Sequence, residues 1–307
     1  MTALPVSPDT PALAEPDAVP VTTRDGARFE LLLLAPASSP RHVLYWLPAL
    51  GVPAKHYLPL ATALAADGVA VVLHEWRGIG SSDRRAGRRC DWGYRELLEV
   101  DLPAGLAAAR SRWPQAVFHI GGHSLGGQVS CLYAALHPTA FAGIVLVASG
   151  APYWRRFRRG AAIGSAYVLA PWLARLVLSS SRPPDRFRRQ RSTRRHCRLG
   201  GAAVAVDVMP RRDMAVDFEQ RLSELQQPVM ALRLRDDWFG PSASLEWLLG
   251  KMPRSAHEVG VIEPADLAGH PADHFTWMKT PAEIAARIAH WVDRRNTAFA
   301  TPDPHSS

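Results

Sequence analysis

The sequence predicts an α/β protein: a mostly parallel, doubly wound sheet with one inserted helical segment. Strand-like apolar runs such as HVLYWL and VAVVL alternate with helical segments at βαβ spacing. The runs are continuously apolar, which is typical of strands buried on both faces. The alternation stops between about Gly150 and Gln226 and resumes with PVMALRL, which indicates an insertion.

The elements before the insertion can be assigned in chain order. Two β-like runs flank the Asp25-Gly26 turn in VPVTTRDGARFELLLLAP, and HVLYWLPAL forms the next strand. KHYLPLATALAADG has helical spacing that ends at Gly68, and VAVVLHEW follows as a strand. The remaining pattern alternates between the helices LLEVDLPAGLAAARSRWP and QVSCLYAALHP and the strands AVFHIGG and FAGIVLVAS.

After the insertion, PVMALRL is predicted to be a strand, SLEWLLGKMP a helix and PAEIAARIAHWVDRR an amphipathic final helix. The whole pattern divides the chain into a Pro- and Ala-rich segment expected to be disordered (1–20), the first part of the core (21–149), a helical lid (150–226), the second part of the core (227–297) and a flexible tail (298–307).

Composition narrows the class of protein. A chain of 307 residues with 47% hydrophobic and 21% charged residues is typical of a soluble globular protein with a substantial core. The first residues lack a cationic start followed by an apolar run, so we expect no signal peptide. The three cysteines lack CxxC or Cys/His ligand spacing, which argues against a disulfide framework or a zinc site. We therefore expect a cytoplasmic protein without a metal or cofactor.

The segment FHIGGHSLGGQVS places a serine between glycines, after an apolar run and before a helical one. Gly122 and Gly126 flank Ser124 at the G-x-S-x-G spacing of a nucleophile elbow, where small neighbours allow a strained strand-to-helix turn. A glycine-rich turn with an incidental serine is the simpler alternative. The downstream part of the chain decides between the two.

A serine hydroxyl needs a base to take its proton and an acid to orient that base, and the chain supplies both downstream. RLRDDWFGP offers Asp236 and Asp237 just after a predicted strand, and HPADHFTWMK offers His270 and His274 before the last helix. The order serine, acid, histidine is that of α/β-hydrolases. In an extended segment Asp236 would point the opposite way from Asp237.

Three ordered motifs resemble those of α/β-hydrolases, in the lid-bearing branch that includes monoacylglycerol lipase-like and serine aminopeptidase-like proteins. They are GHSLG, the turn LPALGVPAKHY and the loop HEWRGIGSSDRR, and the resemblance covers about Val21 to Arg295. Glu75 stands where the family usually has aspartate, and Leu47-Pro48-Ala49-Leu50 replaces the common His-Gly pair.

The resemblance implies roles for individual residues. Asp237 is favoured over Asp236 as the orienting acid, and His274, followed by Phe275, is favoured over His270 as the base. The oxyanion of the tetrahedral intermediate needs preorganised donors, for which we expect the backbone N–H groups of Leu125 and Leu50. Ala49 is the alternative to Leu50.

The predicted function is hydrolysis of an ester, thioester or related acyl bond through an acyl-enzyme on Ser124, on a small-molecule acyl substrate. An acyltransferase using the same triad is one alternative. A non-catalytic scaffold that retains the fold is the other, and the correct order of all three triad residue types argues against it.

The net charge of +8 is concentrated in arginines between Arg155 and Arg212. We rank a solvated lid surface first, an entrance for an anionic substrate second and nucleic-acid binding a distant third, because no recognition motif accompanies the charge. Within this segment, Pro171 and Arg175 interrupt the apolar stretch AAIGSAYVLAPWLARLVLSS, which favours a buried lid helix over a peripheral membrane contact.

Overall fold

The alternating pattern folds around one eight-stranded sheet in the computed structural model, which describes residues 15–85, 92–151 and 214–294. The strands are β1 (Asp17–Thr22), β2 (Arg28–Leu34), β3 (His42–Leu47), β4 (Val69–Leu73), β5 (Val117–His123), β6 (Ile144–Val147), β7 (Val229–Leu234) and β8 (His257–Ile262). Their order is β1-β2-β4-β3-β5-β6-β7-β8. Strands β3 to β8 pair with one another in parallel, whereas β2 is antiparallel to both β1 and β4.

Helices follow the parallel strands as the sequence predicts. They are α1 (Leu58–Ala66), α2 (Leu102–Arg112), α3 (Leu125–Leu136), α4 (Phe218–Glu224), α5 (Ser242–Leu249) and α6 (Ala282–Arg294). Short 3-10 turns cover Ala54–Tyr57, Pro264–Leu267 and Thr276–Lys279, and one helical turn (Tyr94–Glu96) and a π turn (Leu97–Asp101) lead into α2.

Both faces of the sheet are buried, and strand β3 shows how. Its Tyr45 and Leu47 belong to one apolar cluster, whereas Leu44 and Trp46 belong to a second. Successive side chains of a strand point to opposite faces, so the two clusters lie on opposite sides of the sheet. The first cluster includes side chains of α2, α3, α4 and α5, and the second includes side chains of α1 and α6. The predicted doubly wound fold is confirmed.

Two edges of the sheet differ from the prediction. Strand β1 begins at Asp17, so residues 17–20 belong to the sheet rather than to the segment expected to be disordered. Strand β8 was not predicted, because its sequence HEVGVI carries charges and a glycine instead of a continuous apolar run. It lies at the edge of the sheet, where Val259 is 53% exposed, and an edge strand needs less apolar surface than a central one.

Most of the predicted lid, including its arginines and the stretch AAIGSAYVLAPWLARLVLSS, lies outside the described residues, as do residues 1–14 and the tail from 295. Before this gap the described residues end at Ala151, whose carbonyl oxygen accepts a hydrogen bond from the Ser244 hydroxyl of α5 (2.6 Å). After the gap they begin again at Met214. Helix α4 lies within the range assigned to the lid, but Phe218 and Leu222 are buried in the same cluster as α3.

The loop after β4 is held by an arginine of the motif WRGIGSS. Arg77 donates to Asp101 (Nε to Oδ2, 3.0 Å) and to Asp25 (Nη1 to Oδ2, 2.7 Å). Its hydrogen bond holds the pKa of the Asp25 carboxyl well below its usual range. One buried guanidinium therefore ties this loop to the β1–β2 turn and to the start of α2.

The described helices are all too short or too polar to span a lipid bilayer.

Candidate active site

Ser124 occupies a strained turn between β5 and α3. Its φ of 53° and ψ of −116° lie outside the regions that non-glycine residues ordinarily adopt. The Ser124 N–H donates to the Val147 carbonyl oxygen (3.1 Å), and the Ser149 hydroxyl donates to the Ser124 carbonyl oxygen (2.8 Å). Ser124 is partly exposed although His123 before it is buried. A strained, partly exposed serine between a strand and a helix is what the predicted nucleophile elbow requires.

The glycines around Ser124 are explained by close backbone contacts. A Cβ on Gly126 would lie 2.0 Å from the Leu47 carbonyl oxygen and 2.6 Å from that of Pro48. A Cβ on Gly122 would lie 2.6 Å from the same Leu47 oxygen. Gly121 and Gly127 are similarly crowded, by Val145 and Ser149. All four glycines of the motif let the elbow lie directly against β3, β6 and the turn that follows β3.

We expect Gly126→Ala to destabilise the protein by at least about 2 kcal/mol and to reduce ester hydrolysis, because neither carbonyl can move without moving a strand. Gly250→Ala is the matched control, since a Cβ there meets nothing closer than the Glu246 carbonyl oxygen at 3.3 Å and the backbone is right-handed helical. Thermal unfolding and an ester assay would measure both effects. A Gly126→Ala variant as stable and active as Gly250→Ala would show that the Leu47 and Pro48 carbonyls do not require glycine at position 126.

His274 and Asp237 form a hydrogen-bonded pair. His274 Nδ1 lies 2.8 Å from Asp237 Oδ2, and both residues are buried. The other carboxylate oxygen of Asp237 accepts the N–H groups of Phe239 (2.8 Å) and Gly240 (3.0 Å). The Trp277 indole donates to the His274 carbonyl oxygen (3.1 Å). Both side chains are thereby held in fixed orientations.

The two competing residues lie elsewhere. Asp236 Oδ2 accepts the Ala272 N–H (3.1 Å), and the Asp236 N–H donates to the Ala272 carbonyl oxygen (2.9 Å). Asp236 therefore anchors the loop that carries the histidines. His270 is exposed on that loop. The structure brings together Asp237 and His274 and leaves Asp236 and His270 out of the pair.

The elbow and the His–Asp pair are neighbours at the end of the sheet where the parallel strands finish. Ser124 follows β5 and Asp237 follows β7, so both lie at the carboxyl ends of parallel strands. The ring of His123, which directly precedes Ser124, packs against the His274 ring with 4.7 Å between centroids. Burial, together with the nearby His274, holds the pKa of His123 well below its ordinary value. His123 is therefore a neutral imidazole beside the pair.

The turn Pro48-Ala49-Leu50 reaches the site from the end of β3. Ala49 is buried, and its N–H donates to the Tyr57 hydroxyl oxygen (2.9 Å). The Trp76 indole donates to the Pro48 carbonyl oxygen (2.9 Å). The Ala49 N–H is therefore already bonded within the protein, which favours the Leu50 N–H as the expected oxyanion donor.

Glu75, where the family usually has aspartate, holds the loop that follows this turn. Its Oε1 accepts the Ala54 N–H (3.2 Å) and its Oε2 the Ser81 N–H (3.3 Å). Burial raises the pKa of this carboxyl. Gly80 passes so close that a Cβ would overlap the Glu75 carboxylate. The acidic residue thus has a structural role that links two loops near the site.

Sequence reasoning missed four exposed apolar side chains in the loops at this end of the sheet, which we call the apolar mouth: Leu50, Trp238, Phe239 and Phe275. Leu50 belongs to the turn Pro48-Ala49-Leu50, which we call the oxyanion turn because the Leu50 N–H is an expected oxyanion donor. The others follow Asp237 or His274 within two residues. The rings of Phe239 and Phe275 lie 5.3 and 4.8 Å from the His274 ring. Their adjacency to the predicted acid and base was the available signal. No group of three or more metal-ligating side chains clusters within the described ranges.

Comparisons with known proteins bear on the fold and on the family. The alignment with the monoglyceride lipase of Rattus norvegicus is 28% identical over 112 residues and covers 36% of each chain, so this chain spans about a third of the length of the curated relative. The structure of a membrane phospholipase A superposes with a TM-score of 0.60 at 18% identity, covering 92% of this chain and 88% of that one. An esterase from Pyrococcus furiosus gives a TM-score of 0.59 at 16% identity, covering 91% of each.

These solved structures show the same fold. The family itself is shown by the profile described as serine aminopeptidase, S33, which matches residues 38–264, well over half of the chain. This range includes Ser124 and Asp237 and ends before His274. The resemblance inferred from the three motifs is confirmed. The chain therefore belongs to the serine aminopeptidase S33 family of serine hydrolases with the α/β-hydrolase fold.

Proposed function

We propose that this hydrolase cleaves an ester, thioester or related acyl bond through an acyl-enzyme on Ser124. His274 is the general base and Asp237 the orienting acid. The observation that carries the proposal is the 2.8 Å bond between His274 Nδ1 and Asp237 Oδ2, beside a serine held in an elbow conformation. Because Asp237 occupies Nδ1, Nε2 is the nitrogen left to exchange a proton with the serine.

In the first half-reaction Ser124 Oγ attacks the acyl carbonyl carbon while its proton passes to His274 Nε2. The carbonyl electron pair moves onto oxygen, and the N–H groups of Leu50 and Leu125 stabilise this oxyanion. The bond to the leaving group breaks as Nε2 returns the proton. Water, deprotonated by the same nitrogen, then attacks the acyl carbon. The bond to Ser124 Oγ breaks as Nε2 returns the proton to that oxygen, and the acid is released.

Two features support an uncharged, apolar acyl group. The apolar mouth exposes 59% of Leu50, 66% of Trp238, 48% of Phe239 and 45% of Phe275, and the last two rings pack beside His274. Binding of an acyl chain over such surface lowers the free energy of the complex by about 25 cal/mol per Å² of apolar surface buried. The similar proteins include a monoglyceride lipase and a phospholipase A, both named for lipid substrates. We propose a small lipid-like ester as the substrate class.

The proposal is tested by labelling the wild-type enzyme with a fluorophosphonate and mapping the adduct by peptide mass spectrometry. We expect a single adduct on the peptide that carries Ser124, because only an activated serine reacts readily with such a probe. Competition by a turned-over ester should slow the labelling. Absence of an adduct, or an adduct on another serine, would contradict the proposed nucleophile.

A panel of matched substrates tests the bond type. It would compare esters of increasing acyl length, an acyl thioester and an aminoacyl anilide, with an added alcohol as competing acceptor. We expect the esters and thioester to exceed the anilide in kcat/KM. Preference for the anilide would reassign the enzyme to peptide bonds, and transfer to the alcohol in place of hydrolysis would make it an acyltransferase.

A further inference from the structure

Tyr57 is a buried tyrosine with two hydrogen bonds that reach opposite parts of the site. It lies at the end of the 3-10 turn Ala54–Tyr57, and none of its surface is exposed. Its hydroxyl oxygen accepts the Ala49 N–H (2.9 Å) and lies 2.8 Å from His123 Nδ1. The rings of Trp46 and Trp277 pack around it, at 5.8 and 6.2 Å. The proposed acyl-enzyme mechanism assigns no role to this phenol.

The direction of both hydrogen bonds is set by the available protons. A backbone N–H can only donate, so the phenol oxygen accepts from Ala49. The phenol has one proton, and we assign it to the bond with His123 Nδ1, the second partner of the phenol oxygen. His123 therefore accepts at Nδ1 and carries its own proton on Nε2. Burial favours this neutral arrangement, because it raises the pKa of Tyr57 and lowers that of His123.

On one side, the phenol fixes a peptide plane in the oxyanion turn. The Pro48–Ala49 peptide unit donates its N–H to Tyr57, and the Trp76 indole holds the carbonyl oxygen of the same unit. A peptide unit is planar, so bonds to its two opposite ends set its orientation. The next N–H along the chain is that of Leu50, the oxyanion donor that we propose. Its direction depends on the plane that precedes it.

On the other side, the phenol fixes the residue next to the nucleophile. His123 directly precedes Ser124, and its ring packs against the His274 ring. A rotation of the His123 ring would therefore disturb the base as well as the elbow.

We propose that Tyr57 is a positioning residue that couples the oxyanion turn at Leu50 to the Ser124 elbow, through Ala49 on one side and His123 on the other. The inference rests on the proposed function. The coupling orients groups that act in the transition state. Its loss should therefore lower kcat and leave KM nearly unchanged, whereas a purely structural role would change stability.

The main test is Tyr57→Phe, which removes one oxygen and keeps the ring that packs on Trp46 and Trp277. We expect kcat to fall on the order of 10- to 100-fold, less than for complete loss of an oxyanion donor, with KM changed by less than about threefold. The rate of fluorophosphonate labelling should fall in parallel with kcat.

Tyr45→Phe is the matched control. The Tyr45 hydroxyl is also buried and also bonded to a histidine, with 2.9 Å to His74 Nδ1, but it has no bond to the oxyanion turn or to His123. If loss of a buried tyrosine–histidine bond acts only through stability, both variants should lose similar amounts in melting temperature and in kcat. The proposal instead predicts a loss of kcat in Tyr57→Phe alone.

Rescue at His123 gives an independent readout. The asparagine side-chain amide places an oxygen about where imidazole Nδ1 lies, so His123→Asn can still accept the Tyr57 proton, whereas His123→Leu cannot. Both variants lose the ring that packs against His274, and only His123→Asn keeps an acceptor for the Tyr57 proton, so we expect His123→Leu to lose several-fold more kcat than His123→Asn. The double variant with Tyr57→Phe and His123→Leu should lose little more than His123→Leu alone.

Parallel assay of Ser124→Ala separates the two proposals. If Ser124→Ala is inactive while Tyr57→Phe keeps wild-type kcat, or while Tyr45→Phe loses as much kcat as Tyr57→Phe, the coupling is wrong and the nucleophile stands. If Ser124→Ala retains turnover, the proposed function fails, and the coupling fails with it.

Discussion

Replacement of Ser124 by alanine is expected to lower kcat for acyl esters by a factor on the order of 10⁶, with the protein still folded. The change removes only the oxygen that attacks the carbonyl carbon. Alanine carries the same Cβ, so the strain at φ 53° is unchanged, as are the Ser124 backbone bonds to Val147 and Ser149. Initial-rate kinetics and a thermal melt would measure both expectations.

Ser130→Ala is the control for this prediction. Ser130 lies in α3, six residues after Ser124, and its hydroxyl donates to the Gly126 carbonyl oxygen (2.8 Å). Its removal should leave kcat within about threefold of wild type, because a neutral hydrogen bond inside a helix contributes only about 1 kcal/mol to stability. A folded Ser124→Ala enzyme that turns over esters at the wild-type rate would rule out the acyl-enzyme mechanism.

The core of the fold could be predicted because its central strands are continuous apolar runs that are recognisable in the sequence alone. The apolar runs of β3, β4 and β6 are buried along their whole length, as continuous apolar sequence predicts for a parallel sheet. The elbow was predictable for a related reason. Close contacts with the backbone of Leu47, Pro48 and Val145 leave no room for a Cβ at several of its positions. Only glycine fits there, so the pattern of glycines is visible in the sequence.

Features that depend on contacts between distant segments could not be predicted. Strand β8 owes its place to pairing with β7, since its own sequence begins with two polar residues, contains a glycine and is exposed over its first half. Tyr57 and His123 are 66 positions apart in sequence, and nothing local indicates that their side chains meet. The same holds for the apolar mouth, whose members come from three separate loops.

At Leu47-Pro48-Ala49-Leu50, which replaces the family's His-Gly pair, the oxyanion donor could be predicted only to within two residues. The sequence left the choice between Ala49 and Leu50 open, because an oxyanion donor is a backbone N–H and any residue carries one. The bond from the Ala49 N–H to Tyr57 favours Leu50. The group that makes this difference is a tyrosine eight positions from Ala49, outside the turn itself.

The assignment of Asp237 and His274 leads to the second large expected effect. Asp237→Asn should lower kcat about 10⁴-fold, because its amide N–H₂ can donate to His274 Nδ1 and so stabilise the wrong tautomer. The Asp237 side chain is completely buried and accepts from Phe239 and Gly240 as well, so little rearrangement can relieve the mismatch. His274→Ala should cost on the order of 10⁶-fold, as for loss of the serine.

Matched variants of the neighbouring residues test this assignment. Asp236→Asn keeps an oxygen that can accept the Ala272 N–H, and His270 is exposed, so both Asp236→Asn and His270→Ala should stay within about threefold of wild type in kcat. Because triad members act as a unit, Ser124→Ala combined with His274→Ala should be no worse than Ser124→Ala alone. Inactive Asp236→Asn and His270→Ala variants, beside active Asp237→Asn and His274→Ala, would move the acid and the base to the competing residues.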